Sequence, residues 1–248
     1  MPGRSVTSKV LALLDAFTPS TPELTLSELA RRAGVSLPTA HRRAQELVGW
    51  GALERAPDGR FHIGLRLWEV ASLAPRGLAL REAAMPFLED LYEVTHENVQ
   101  LAVREGLELV FVERIAGRRA VPVLTRVGGR FALHATGVGL VLLATAPAEV
   151  QEEVLAAPLH AYTEKTITDP VRLREVLAGV RKSGHSVSDG QVTLDALSVA
   201  APVRSPEGHV LAAVSLVVRA DTAQPAALAP LVKAAARGIT RALEPRHP

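Results

Sequence analysis

The amino-acid sequence predicts an α+β protein in two parts: a winged helix-turn-helix over residues 1–64 and, after a connecting helix, a larger antiparallel domain with flanking helices over 77–248. Three observations carry that expectation. Thr25 to Gly51 reads as two short amphipathic helices around a tight turn. A polar turn, Pro57-Asp58-Gly59, divides two strand-like segments just after them. Beyond Val99 the helical period gives way repeatedly to β-rich runs broken by glycine.

In chain order, Val10, Leu11, Leu13, Leu14 and Phe17 have the spacing of an amphipathic helix that ends before Pro19. Thr25 and Glu28 then form a Ser/Thr-x-x-Glu start signal, in which hydroxyl and carboxylate satisfy two orphan amides. Leu26, Leu29, Ala30 and Ala33 share one face, and Gly34 stands where a helix end wants positive φ. Ser36 restarts the chain as an N-cap with Pro38 in the first turn. Leu37, Ala40, Ala44, Leu47 and Val48 form the apolar stripe of this next helix. Leu53 to Arg55 and Arg60 to Ile63 pair as a wing.

The opposite side of the helix after Ser36 gathers hydroxyls, cations and free helix-start amides. A recognition helix needs that combination, because Arg can bond guanine O6 and N7 while Thr meets a thymine methyl. Ser36, Pro38, Thr39, His41, Arg42 and Arg43 are therefore candidate contacts to double-stranded DNA, with Arg55 and Arg60 of the wing set against phosphate. A solvated charged helix face is the plain alternative. Residues 1–66 hold nine lysines and arginines against six acids, whereas the remainder holds 19 against 20, so the basic excess lies with the candidate DNA-binding part.

A helix from Gly64 to about Leu73 reads as a connector, with a linker over 65–76, and a second helix runs from about Leu78 to Glu93. Val99 to Val103 and Leu107 to Ile115 form a hairpin, and Val121 to Thr125 is expected as a further strand before the Gly128-Gly129 turn and Phe131 to Leu133. Helices follow at about Thr136 to Ala146 and Pro170 to Lys182. Two strands, Leu197 to Arg204 and His209 to Val218, come next, and a last helix rides on Leu228, Leu231, Ala235 and Ile239.

The chain has 248 residues, 48% hydrophobic and 22% charged, and carries a net charge of +2. Those values fit a water-soluble protein able to bury two cores. No run of about 18 apolar residues predicts a membrane span, and Asp15 interrupts the N-terminal apolar stretch, so no leader is expected and the cytoplasm is the expected location. With no cysteine, disulfides and thiolate chemistry are excluded. The eight histidines are scattered without ligand spacing, and no metal or cofactor is expected.

Five segments in order, KVLALLDAF, LPTAHRRAQELVGWGALER, GRFHIG, FALHATGVGLVLLA and GHSVSDG followed by SVAAPVRSPEGHVLAAVSL, resemble members of the IclR family of bacterial transcription regulators over nearly the whole chain. The resemblance implies a linker helix used in dimerisation, a GAF-like effector-binding domain, and a homodimer or homotetramer on a palindromic operator. It places the effector around His134, Ala135, Thr136, Gly137 and Leu140, around Ser188 and Asp189, and on strands holding Ser198 and Ser215.

Departures from the family pattern bear on the ligand. The position often acidic is Ser188, the frequent cysteine is Ser198, a Gly-Lys pair is Gly139-Leu140 and a later serine is Val217. A site without the lysine is less polar, so the expected effector is larger or more apolar than a small keto acid. Each residue also has a structural reading: Ser198 and Ser215 as small groups in tight sheet packing, His134 bonded to a core carbonyl, Gly137 and Gly139 for close helix approach. An enzyme is the rival class. Gly184-His185-Ser186-Val187-Ser188 approaches a nucleophile elbow with Ser186 but lacks its last glycine and follows a helix, and Gly137-Val138-Gly139 has Leu142 where a dinucleotide fingerprint needs glycine.

Overall fold

The computed structural model describes residues 5–74, 78–118 and 120–244. It divides into two compact units, Met1–Leu78 and Ala79–Pro248.

In the first unit, α1 (Val6–Leu14), α2 (Leu26–Ala33) and α3 (Leu37–Trp50) enclose a core of Leu13, Leu29, Ala30, Ala40, Ala44 and Leu47. The start of α2 is the capping box expected from its sequence: Thr25 N–H donates to Glu28 Oε2 at 2.8 Å, and Glu28 N–H donates to Thr25 Oγ1 at 3.3 Å. The bonds its carboxylate accepts from Thr25, the backbone N–H foremost and then the hydroxyl at 2.8 Å, hold the Glu28 carboxyl below the usual carboxylate range. Gly34 at φ 63° and Gly51 at φ 86° close α2 and α3 in the left-handed region. Leu37 does not join the α3 stripe; it is 49% exposed, and burial begins one turn later at Ala40.

Strands β1 (Leu53–Arg55) and β2 (Phe61–Ile63) pair antiparallel as the wing. Reciprocal backbone bonds between Leu24 and Phe61, at 2.9 and 2.8 Å, bind the wing to the segment entering α2. Helix α4 (Leu65–Ala71) follows and buries none of its residues. It stops two residues short of Leu73, and residues 75–77, on which the expected linker ends, lie outside the described residues.

The second unit begins with α5 (Leu78–Thr95), then β3 (Asn98–Glu105), β4 (Glu108–Ile115), β5 (Arg130–Ala132), α6 (Gly137–Ala144), α7 (Ala148–Ala156), α8 (Pro170–Ser183), β6 (Ser186–Asp189), β7 (Ala196–Arg204), β8 (Val210–Arg219) and α9 (Pro225–Ala242). Its sheet is antiparallel, in the order β5-β4-β3-β8-β7-β6. Period-2 alternation gives each face its own core. Val99, Leu101, Val199, Val214 and Leu216 meet α5 and α9, whereas Ala102, Phe111, Ala200 and Ala213 meet α6 and α8. All eight residues of α6 are buried, so it is covered on every side.

Two expectations for this unit are corrected. Val121 to Thr125 is not a strand: it joins no ladder, and its alternation reflects Val121 and Val123 packing beside Val217. Ser186–Asp189, where no strand was expected, is an edge strand: Ser186 and Ser188 are buried and Val187 and Asp189 exposed as it pairs with β7. Helix α7 was not anticipated.

Candidate functional sites

Helix α3 turns Ser36, Pro38, His41 and Arg42 outward as exposed residues, with Thr39 half-buried. Ser36 caps the helix without bonding its backbone; its hydroxyl lies 2.9 Å from the Thr39 hydroxyl. The first-turn amides of α3 therefore have no side-chain cap and stay available for an anion. The Arg42 side chain makes no hydrogen bond or ion pair among the described residues.

Arg43 differs from its neighbour. Its side chain is only 13% exposed, and one guanidinium nitrogen donates to both Glu46 carboxylate oxygens at 2.6 and 2.7 Å. That bond holds the Glu46 carboxyl below its ordinary value. Arg43 thus belongs to the flank of the helix instead of sharing the open face with Arg42.

On the wing, Arg55 lies over the Phe61 ring at 5.7 Å and its Nε donates to Gly59 O at 3.3 Å. Arg60 sits 3.4 Å from Asp58 and 3.7 Å from Glu28. The Arg55 guanidinium is oriented by the wing itself, and that of Arg60 by the wing together with α2.

In the second unit a cavity of about 50 Å³ opens at the start of α6, where β3, β6, β7 and β8 converge beneath residues 121–125. Gln100, Thr125, Thr136, Gly137, Ser188 and Ser198 contribute its polar and backbone lining, and Ala135 completes the helix entry. Two inward serines of β6 hold that entry. Ser186 Oγ donates to Gly137 O at 2.7 Å, and Ser188 Oγ donates to Ala135 O at 3.4 Å. Thr136 Oγ1 accepts the Gly139 N–H at 3.0 Å. Ser198 stands opposite Ser188 in the β6–β7 register. Glycine is required at 137, where a β-carbon would fall 2.5 Å from Ser198 Oγ, and at 139, where one would fall 2.4 Å from Leu133 O.

Four of the residues expected around the effector do not line this cavity. His134 is buried with Nε2 3.0 Å from His160 O, and burial pushes its imidazole pKa down. Leu140 is fully buried in the core under α6. Asp189 faces outward to Lys165 at 3.3 Å, as period-2 geometry requires of the residue after an inward Ser188. Ser215 is 0% exposed on β8, and its hydroxyl has no partner among the described residues. Gln100, Thr125 and Gln191 escaped the sequence reading. For Gln100 a signal was present, since a carboxamide between Val99 and Leu101 falls on the same strand face as Asn98 and Ala102.

Residues 6–57 match the IclR helix-turn-helix domain, and residues 74–241 match the C-terminal domain of bacterial transcriptional regulators of the IclR type. The chain belongs to the IclR family of transcription regulators. A solved IclR homolog from Microbacterium hydrocarbonoxydans, complexed with 4-hydroxybenzoate, is 39% identical with a TM-score of 0.93, covering 96% of this chain and 99% of that one. Another IclR homolog, from Microbacterium sp. strain HM58-2, is 37% identical with a TM-score of 0.65, covering 98% of this chain and 100% of that one. The regulator KipR of Bacillus subtilis is 32% identical over 84% of this chain and 83% of its own length.

As an IclR-type protein the chain is a ligand-responsive regulator of transcription and not an enzyme. Ser186 accordingly serves structure: it opens a strand after a helix, is 1% exposed, and spends its proton on Gly137 O.

Proposed function

We propose that this regulator binds a palindromic operator as a homodimer or homotetramer in the cytoplasm, and that its effector is an aromatic carboxylic acid of the 4-hydroxybenzoate class. The observation that carries the effector reading is the lining of the cavity. Val123, Leu124, Val138, Ala196 and Val217 supply apolar walls. At one end stand the start of α6 and Ser198, a place for a carboxylate among helix-start amides. The relative crystallised with 4-hydroxybenzoate supports the same class. A benzene-sized cavity measures about 150 Å³, so the roof over residues 121–125 moves outward when a ring enters. Calorimetric titration with 4-hydroxybenzoate, benzoate, pyruvate and glyoxylate tests the reading, and tighter binding of either keto acid overturns it.

On the DNA side, Ser36, Pro38, Thr39, His41 and Arg42 enter the major groove, while Arg55 and Arg60 meet phosphate. Leu65, Trp68 and Leu73, at 65%, 60% and 79% exposure, leave α4 and its flank with an unpartnered apolar face. A linker over 65–76 that pairs with its counterpart in a second copy covers such a face. Effector binding then shifts the population of dimer arrangements, and half-site spacing selects the arrangement that binds DNA.

A further inference from the structure

We propose that Gln100 is the effector-selecting residue of the pocket: its carboxamide holds Thr125 across the cavity until a ligand takes its place. The inference rests on the effector reading above and begins from how the roof is held.

Residues 121–125 make no backbone–backbone hydrogen bond among the described residues. Two side-chain amides of β3 hold them instead. Asn98 Nδ2 donates to Val121 O at 2.8 Å, and Gln100 Nε2 donates to Thr125 Oγ1 at 2.6 Å. The two differ in kind. Asn98 is 0% exposed, grips a backbone carbonyl, and is itself fixed by Arg114 Nη2 on its Oδ1 at 2.8 Å. Gln100 lines the cavity, grips only a side-chain hydroxyl, and its Oε1 has no partner among the described residues. Asn98 is an anchor and Gln100 a latch.

Between anchor and latch lie Val123, which packs toward Val217, and Leu124, which is 68% exposed. Turning this short roof about its Val121 end widens the cavity and breaks the Gln100–Thr125 bond. A buried carboxamide left unpaired is unfavourable, so the open form is populated when the incoming ligand supplies a replacement hydrogen bond. Ligands with a polar group at that end are accepted, and shape-matched ligands without one are rejected. For an aromatic acid with its carboxylate at α6, the group read by Gln100 is a ring hydroxyl.

The test uses the full chain, with Gln100→Leu removing the amide and Thr125→Val removing only the latch. Calorimetry with 4-hydroxybenzoate and benzoate reads selection, and the rate of tryptic cleavage after Arg126, an exposed residue at the end of the roof, reads its opening in the ligand-free protein. The wild type prefers 4-hydroxybenzoate by about tenfold or more. Gln100→Leu brings the two affinities within about twofold, whereas Thr125→Val keeps the preference and binds both ligands more tightly. Both variants are cut after Arg126 faster than the wild type. A wild-type preference retained in Gln100→Leu, or equal wild-type affinities, overturns the selection. If the wild type binds neither compound, the aromatic-acid reading falls by itself; unchanged cleavage after Arg126 in both variants then overturns the latch, and faster cleavage upholds it.

Discussion

A β-carbon on Gly137 would stand 2.5 Å from Ser198 Oγ and 3.1 Å from Ser198 Cβ, so the start of α6 lies against β7 with no side chain between them. This approach brings the first amides of α6 to the cavity wall. Gly137→Ala is expected to push the helix start off the strand and weaken effector binding by about tenfold, roughly 1.4 kcal/mol. Adding Ser198→Gly restores the space and with it part of the affinity, the remainder being the Ser198 hydroxyl lost from the carboxylate end. Calorimetry on the single and double variants checks this; a double variant no better than the single contradicts it.

The neighbouring arginines of α3 separate by function. Arg42→Ala is expected to lose about 1 to 3 kcal/mol on operator DNA and much less on random DNA, as for a base contact. Arg43→Ala, which removes the bond to Glu46, lowers thermal stability more than it alters sequence preference. Anisotropy titrations on both DNAs, with melting curves, distinguish the two; equal losses for Arg42→Ala on both DNAs would make it a phosphate contact.

Ser215 keeps a hydroxyl buried without a partner among the described residues and outside the cavity lining. Ser215→Ala removes an unsatisfied group at little cost in packing, so it is expected to raise stability by up to about 1 kcal/mol while leaving effector affinity unchanged. Chemical denaturation and calorimetry measure both, and loss of effector binding in Ser215→Ala would return Ser215 to the site.

Burial lowers the His134 pKa, so the folded protein resists a proton that the unfolded chain takes up near its ordinary value of about 6.5. Stability is therefore fully present above that value and falls as pH drops toward the folded pKa, by at most about 1.4 kcal/mol per pH unit from this group. His134→Gln does not titrate and is expected to flatten that part of the profile between pH 7 and 5. Parallel profiles for the two proteins would contradict it.

The winged helix was legible because its signals are local. Thr25 and Glu28 announce α2, and Gly34, Gly51 and Gly59 each occupy the positive φ their turns require. The effector unit was less so. The inward serines of β6 give too little apolar alternation to read as a strand, and Val121 to Thr125 alternates without pairing. The cavity itself depends on distant segments. Gln100 meets Thr125 across 25 residues, a relation no local period reveals. Leu140 and Asp189 stand outside the cavity lining for a related reason: they adjoin lining residues in sequence but project to another face.

The most direct test of the account is an anisotropy titration of the full chain with its own upstream DNA, at two salt concentrations and against random competitor, with and without 4-hydroxybenzoate. The account predicts binding that survives the competitor and changes by about tenfold or more when the acid is added. Binding equal to that on random DNA, abolished by salt and indifferent to the acid, would contradict it.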